Sequence, residues 1–146
     1  MQSKIKRTLP ILLSVLVLLM RPNDGVYAQS DAQKPQIVFT SDRDNGYGIY
    51  AMDADGKNIS RIINDSAENG SPTWSPDRKQ IAYVSRRDGN PQIYVADADG
   101  KNQRRLSDQS LFSAGNPAWS PDGQSIVFSA SGEKDGNGMY LVSPDG

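Results

Sequence analysis

Cysteine and histidine are both missing from this 146-residue sequence. Without cysteine there is no disulfide framework, and no thiol to carry a lipid at a processed N-terminus. Without histidine, Ser-His and Cys-His nucleophilic catalysis are excluded, and no Gly-x-Ser-x-Gly elbow stands anywhere in the chain. The residues are therefore read as non-enzymatic, with no catalytic group, no metal ligand set and no cofactor assigned. Basic charge is also scarce: residues 29–146 carry 12 Lys and Arg against 16 Asp and Glu, a net charge of −4. A nucleic-acid partner, which requires a basic footprint to neutralise phosphates, does not fit. Helical periodicity is lacking too, since no segment sustains apolar residues at i, i+3 and i+4 over three turns.

The one long apolar run, Leu9 to Met20, lies near the start. It is shorter than the roughly 20 residues of a spanning helix. Lys4, Lys6 and Arg7 precede it, and Val26 and Ala28 sit at small-residue positions before a cut. This predicts a secretory signal peptide over 1–28, no membrane span after cleavage, and a periplasmic or secreted location. A short linker is expected over 29–36.

What is present in abundance is repetition. "IVFTSD" from Ile37, "IAYVSR" from Ile81 and "IVFSAS" from Ile126 are offset by 44 and 45 residues. "IYAMDADG" from Ile49, "IYVADADG" from Ile93 and "MYLVSPDG" from Met139 follow at offsets of 44 and 46. "ISRII" and "QRRLS" form a third set, and Trp-Ser-Pro-Asp occurs at Trp74 and Trp119. The period of about 45 residues is that of a four-stranded propeller blade. β-Branched and aromatic residues fill the short runs, and Gly, Asn, Asp and Pro bound them, as strands require. Ser-Pro-Asp-Gly at 120–123 supplies the Pro and Gly of a type I turn, and Gly56 and Gly100 supply positive φ for hairpins. The strand ending in Trp is expected to close each blade and to set its indole at the seam between neighbouring sheets. The predicted fold is all-β, about two and a half propeller blades of four-stranded antiparallel sheet in an incomplete ring. The blade spans are 37–75, 80–119 and a partial 125–146. Trp74, Ser75, Pro76, Asp77, Trp119, Ser120, Pro121, Asp122 and Gly123 are its structural motif.

The order W-S-P-D-G, I-x-F-x-S, I-Y-x-x-D-x-D-G and R-R-L resembles the propeller repeat of the TolB family over Pro35 to Gly146. It is also similar to the propeller half of prolyl-oligopeptidase-type enzymes. The first resemblance implies an exported protein-binding scaffold with partners such as envelope lipoproteins. The second implies the propeller of a secreted serine peptidase whose catalytic domain lies outside these residues. Because propellers are built from about 4–8 blades, the sequence is expected to be a fragment of a longer protein. The rival is self-association through open blade edges.

Alternation of the reversals places Asp53, Asp55, Asp97, Asp99 and Asp122 on one end of the blades, together with Asp77 and Asp145. The first five are the candidate partner-binding residues. Turn formation explains the same pattern, and Lys57, Arg78, Lys79 and Lys101 dilute the acidic field. "DADGKN" places Gly fourth and lacks the terminal acid of a calcium loop. Tyr47, Arg86 and Arg87 lie on longer loops at the opposite end, where binding residues often sit.

Overall fold

A computed structural model describes residues 36–132 and 136–146. The expected signal peptide over 1–28 lies outside the described residues, as does the linker up to residue 35. Among the described residues there are ten strands and no helix: β1 Gln36–Ser41, β2 Gly48–Asp53, β3 Ser60–Ile63, β4 Asn69–Trp74, β5 Gln80–Ser85, β6 Gln92–Asp97, β7 Arg104–Arg105, β8 Leu111–Trp119, β9 Ile126–Gly132 and β10 Gly136–Val142. They form three antiparallel sheets in the orders β1-β2-β3, β4-β5-β6-β7 and β10-β9-β8. The all-β, open propeller-like architecture agrees with the sequence reading.

The blade boundaries differ. Trp74 pairs with Ile81 and Trp119 with Ile126, so the strand ending in Trp opens a sheet and does not close the previous one. The spans 37–75, 80–119 and 125–146 are thus replaced by sheets covering Gln36–Ile63, Asn69–Arg105 and Leu111–Val142. The cause lies in the turn. Ser75 N–H donates to the Gln80 carbonyl and Arg78 N–H to that of Ser75, at 2.9 Å each, folding the chain back within one sheet. Crossing between sheets occurs instead at 64–68 and 106–110. The edge strands β4 and β8 are bulged at Gly70–Ser71–Pro72 and Gly115–Asn116–Pro117, where Ser71 and Asn116 take φ of 50° and 53°. Proline cannot donate to the ladder, so an interruption is needed there.

Two apolar seams hold the sheets together. Ile49 and Ile63 of the first sheet meet Ile81, Tyr83, Tyr94 and Ala96 of the second, with Trp74 packed against them. Ala82, Ile93 and Val95 of the second sheet meet Leu111, Ala114, Ile126 and Phe128 of the third, with Trp119 alongside. The expected seam position of both indoles is therefore observed, although each buried Nε1–H lacks a hydrogen-bond acceptor. Cross-strand aromatic pairs recur in all three sheets: Phe39 on Tyr50, Tyr83 on Tyr94 and Phe128 on Tyr140, with ring centroids 5.9, 5.9 and 5.8 Å apart.

Candidate functional site

At the end bearing the Ser-Pro-Asp and Asp-Ala-Asp-Gly turns, the carboxylates are engaged locally. Asp53 accepts from Asn58 Nδ2 and Asp97 from Asn102 Nδ2, each at 2.6 Å. Asp55 pairs with Lys57 at 3.2 Å and Asp99 with Lys101 at 2.7 Å. Asp77 accepts from Ser75 Oγ and Lys79 N–H, and Asp122 accepts from Ser120 Oγ and Gln124 N–H. The serine hydroxyls, followed by these backbone donors, hold Asp77 and Asp122 below the usual carboxylate range. The Lys101 ammonium does the same for Asp99. Asp53, Asp55, Asp97, Asp99 and Asp122 thus share the end the sequence assigned them, each committed to its own turn. No group of three or more such ligands converges on a metal position among the described residues. The two Ser-Pro-Asp turns flank a small cavity of about 180 Å³ lined by Pro76, Trp119 and Gly123.

The opposite end separates its candidates. Arg87 turns inward: its Nη2 donates to Asp65 Oδ2 at 2.7 Å, Gln103 Oε1 at 2.6 Å and Tyr83 OH at 3.0 Å, and its guanidinium lies 4.4 Å from the Tyr94 ring centre. Arg43 takes the matching place in the first sheet, 5.0 Å from the Tyr50 ring. The phenols are tied down in step, Tyr50 OH donating to Asp44 and Tyr94 OH to Asp88. Burial first, then the hydrogen bond to Asp88, pushes Tyr94 up to about 12. Burial likewise raises Tyr83 to about 12.

Tyr47 and Arg86 remain outward. They border an open groove of about 350 Å³ between the first and second sheets, with Thr40, Glu68, Ser71 and Val84 completing the walls. Arg86 forms an exposed 3.4 Å ion pair with Glu68. Asn69 anchors the wall, its backbone N–H donating to the Tyr47 carbonyl at 3.0 Å and its Nδ2 to Asp65 and Ala67. Sequence reasoning found Tyr47 and Arg86 but missed Thr40, Glu68 and Ser71. The Pro72 bulge is the only local signal for them, because it bends β4 and leaves Ser71 N–H to be taken by Thr40 Oγ1 at 3.2 Å. The groove offers one carboxylate, one guanidinium, a phenol and hydroxyls: hydrogen bonding and charge along an extended, shallow surface.

The family model for the TolB beta propeller domain matches residues 29–145. Among solved structures, the TolB-designated protein of Agrobacterium tumefaciens is 25% identical with a TM-score of 0.62, over 73% of this chain and 44% of that one. TolB from Acinetobacter baumannii is 24% identical with a TM-score of 0.65, over 75% of this chain and 27% of that one. The tricorn protease is 25% identical with a TM-score of 0.50, over 68% of this chain and 9% of that one. This chain therefore spans less than half the length of each of these three structures. No curated protein matches it in sequence.

Proposed function

The chain belongs to the TolB β-propeller family, and from that premise we propose that it is an exported propeller segment that binds a protein of the cell envelope. The periplasmic or secreted location rests on the charged, apolar and small-residue pattern of residues 1–28. The observation carrying the binding role is the contrast between the two ends. The acidic turn end spends its carboxylates within its own turns, whereas the opposite end sets an exposed Tyr47 and the exposed Arg86–Glu68 ion pair along an open groove. Exposed tyrosine and arginine beside a groove are the side-chain types enriched at protein interfaces. Their engagement by an extended segment of a partner, lying along the bulged edge strand β4, is the reading the geometry supports best. No catalytic role is assigned to this chain.

A photo-reactive amino acid at position 47, introduced into the protein in its native host, tests this reading. The expected result is a discrete adduct with one envelope protein, absent when the probe sits at position 57 on the turn end. Adducts of equal yield at both positions, or none at 47, would remove the assignment. A second reading, the propeller of a secreted peptidase, draws on the likeness to the tricorn protease. Labelling of the native gene product by a serine-directed fluorophosphonate would favour it over the scaffold.

A further inference from the structure

Asparagine followed by glycine occurs three times, at Asn45–Gly46, Asn69–Gly70 and Asn137–Gly138. Glycine has no Cβ to keep its backbone nitrogen away from the carboxamide before it, so each pair has the means to close a five-membered imide. The fold treats the three differently. Asn69 is 1% exposed within β4, and its Nδ2 is held by Asp65 Oδ1 at 2.6 Å and by the Ala67 carbonyl at 3.0 Å. Asn137 is exposed, but it and Gly138 lie in the β10 ladder, opposite Ser131 and Ala130 of β9. Asn45 is exposed in the turn between β1 and β2, outside their ladder, with an isolated bridge joining Arg43 to Gly46. A Cβ placed on Gly46 meets nothing within 4 Å, so the space around its backbone is open. This exposure does not depend on what precedes β1. In the second sheet, which has a neighbour on both faces, Asp88 accepts from Tyr94 OH as Asp44 does from Tyr50 OH, and the matching residues 86–90 are exposed as well.

We infer that Asn45 is a site of spontaneous deamidation, with water as the only co-reactant. The Gly46 nitrogen attacks Asn45 Cγ as its proton passes to a base. The Cγ–Nδ2 bond breaks, Nδ2 takes up a proton and leaves as ammonia, and a succinimide remains. Water then adds to either imide carbonyl and reopens the ring, leaving aspartate or isoaspartate at position 45. No electrons change hands. The turn opens before the attack, because the bridge to Arg43 holds Gly46 in place, and exposed turns stand at the low end of local opening energies. The product bears on the groove. Isoaspartate carries the chain through its own Cβ, which lengthens the turn by one backbone atom. The insertion falls between Asp44, which accepts from Tyr50 OH at 2.6 Å, and Tyr47, whose carbonyl accepts from Asn69 N–H at 3.0 Å. Either product also adds a negative charge next to Asp44.

The test ages the protein, isolated from its host, in mildly alkaline buffer, once folded and once in concentrated urea. Cleavage after Lys and Arg puts the three pairs on separate peptides, 44–57, 62–78 and 135–146, and fragmentation locates the aspartate and isoaspartate formed. Digestion in heavy-oxygen water marks any ring opened during handling. In the folded protein, position 45 is expected to convert at least about tenfold faster than position 69, and faster than 137, because a turn opens more readily than a ladder or a buried side chain. In urea the rates at 45 and 69 are expected to converge, since the shielding of Asn69 is lost. Asn45→Gln, whose longer side chain closes an imide far more slowly, is expected to remove the main acidic species that ion exchange resolves in the aged folded protein. Conversion at 69 as fast as at 45 in the folded protein overturns the inference. So does an Asn45 that stays intact in the fold while the unfolded chain deamidates.

Discussion

Gly56 and Gly100 occupy the same place in two Asp-Ala-Asp-Gly turns, with φ of +80° and +81°. Both need the left-handed region that glycine enters without cost. Their surroundings differ. A Cβ on Gly56 meets nothing within 4 Å, whereas one on Gly100 falls 2.1 Å from the carbonyl oxygen of Ile62 in the first sheet. Gly56→Ala is expected to cost about 1–2 kcal/mol, the backbone penalty alone. Gly100→Ala adds a displaced inter-sheet contact, for about 1–3 kcal/mol more. Urea midpoints of the two variants check this, and equal losses would show that the turn does not brace the neighbouring sheet. The glycines were legible as turn residues, because positive φ is a property of the local chain. That one of them doubles as a sheet contact was not, since Ile62 and Gly100 approach only through the stacking of separate sheets.

At the level of strands and loops, Arg87 ties three pieces of chain together: the crossing segment through Asp65, the inner pair of strands through Tyr83, and the approach to the outer strand through Gln103. Tyr83 in this cluster ionises only near pH 12, chiefly because of burial. In the unfolded chain it loses its proton near its ordinary value of 10.0. Between those values the unfolded state binds fewer protons, so stability falls as pH rises. Its contribution is complete below pH 10 and lost as pH climbs through 12. Tyr83→Phe is expected to lessen the fall in urea midpoint over this window, with Tyr94 keeping its own share, and to leave Arg87 bound to Asp65 and Gln103. An alkaline profile unchanged by the substitution would place the titration elsewhere. The strands themselves were readable from their β-branched and aromatic runs. Their grouping into sheets was not, because "SPDRK" and "NDSAE" are both short, polar and turn-like. Only the backbone hydrogen bonds of Ser75 and Arg78 show which of the two reverses the chain within a sheet.

For the molecule as a whole, the repeat predicted stacked sheets, but the open groove depends on how the bulged β4 meets the neighbouring β1, which no period encodes. Stacking also sets where stability resides. In repeat architectures each unit gains most of its stability from its neighbours, and among the described residues the second sheet alone has one on both faces. Its β5 and β6 are almost wholly buried, whereas β10 is exposed along most of its length. Amide hydrogen exchange is therefore expected to be slowest in β5 and β6, intermediate in β1 and β2, and fastest in β10, with protection tracking local opening energies. Uniform protection across the three sheets would mean that they open as a single unit, so that the seams cooperate more strongly than nearest-neighbour packing implies.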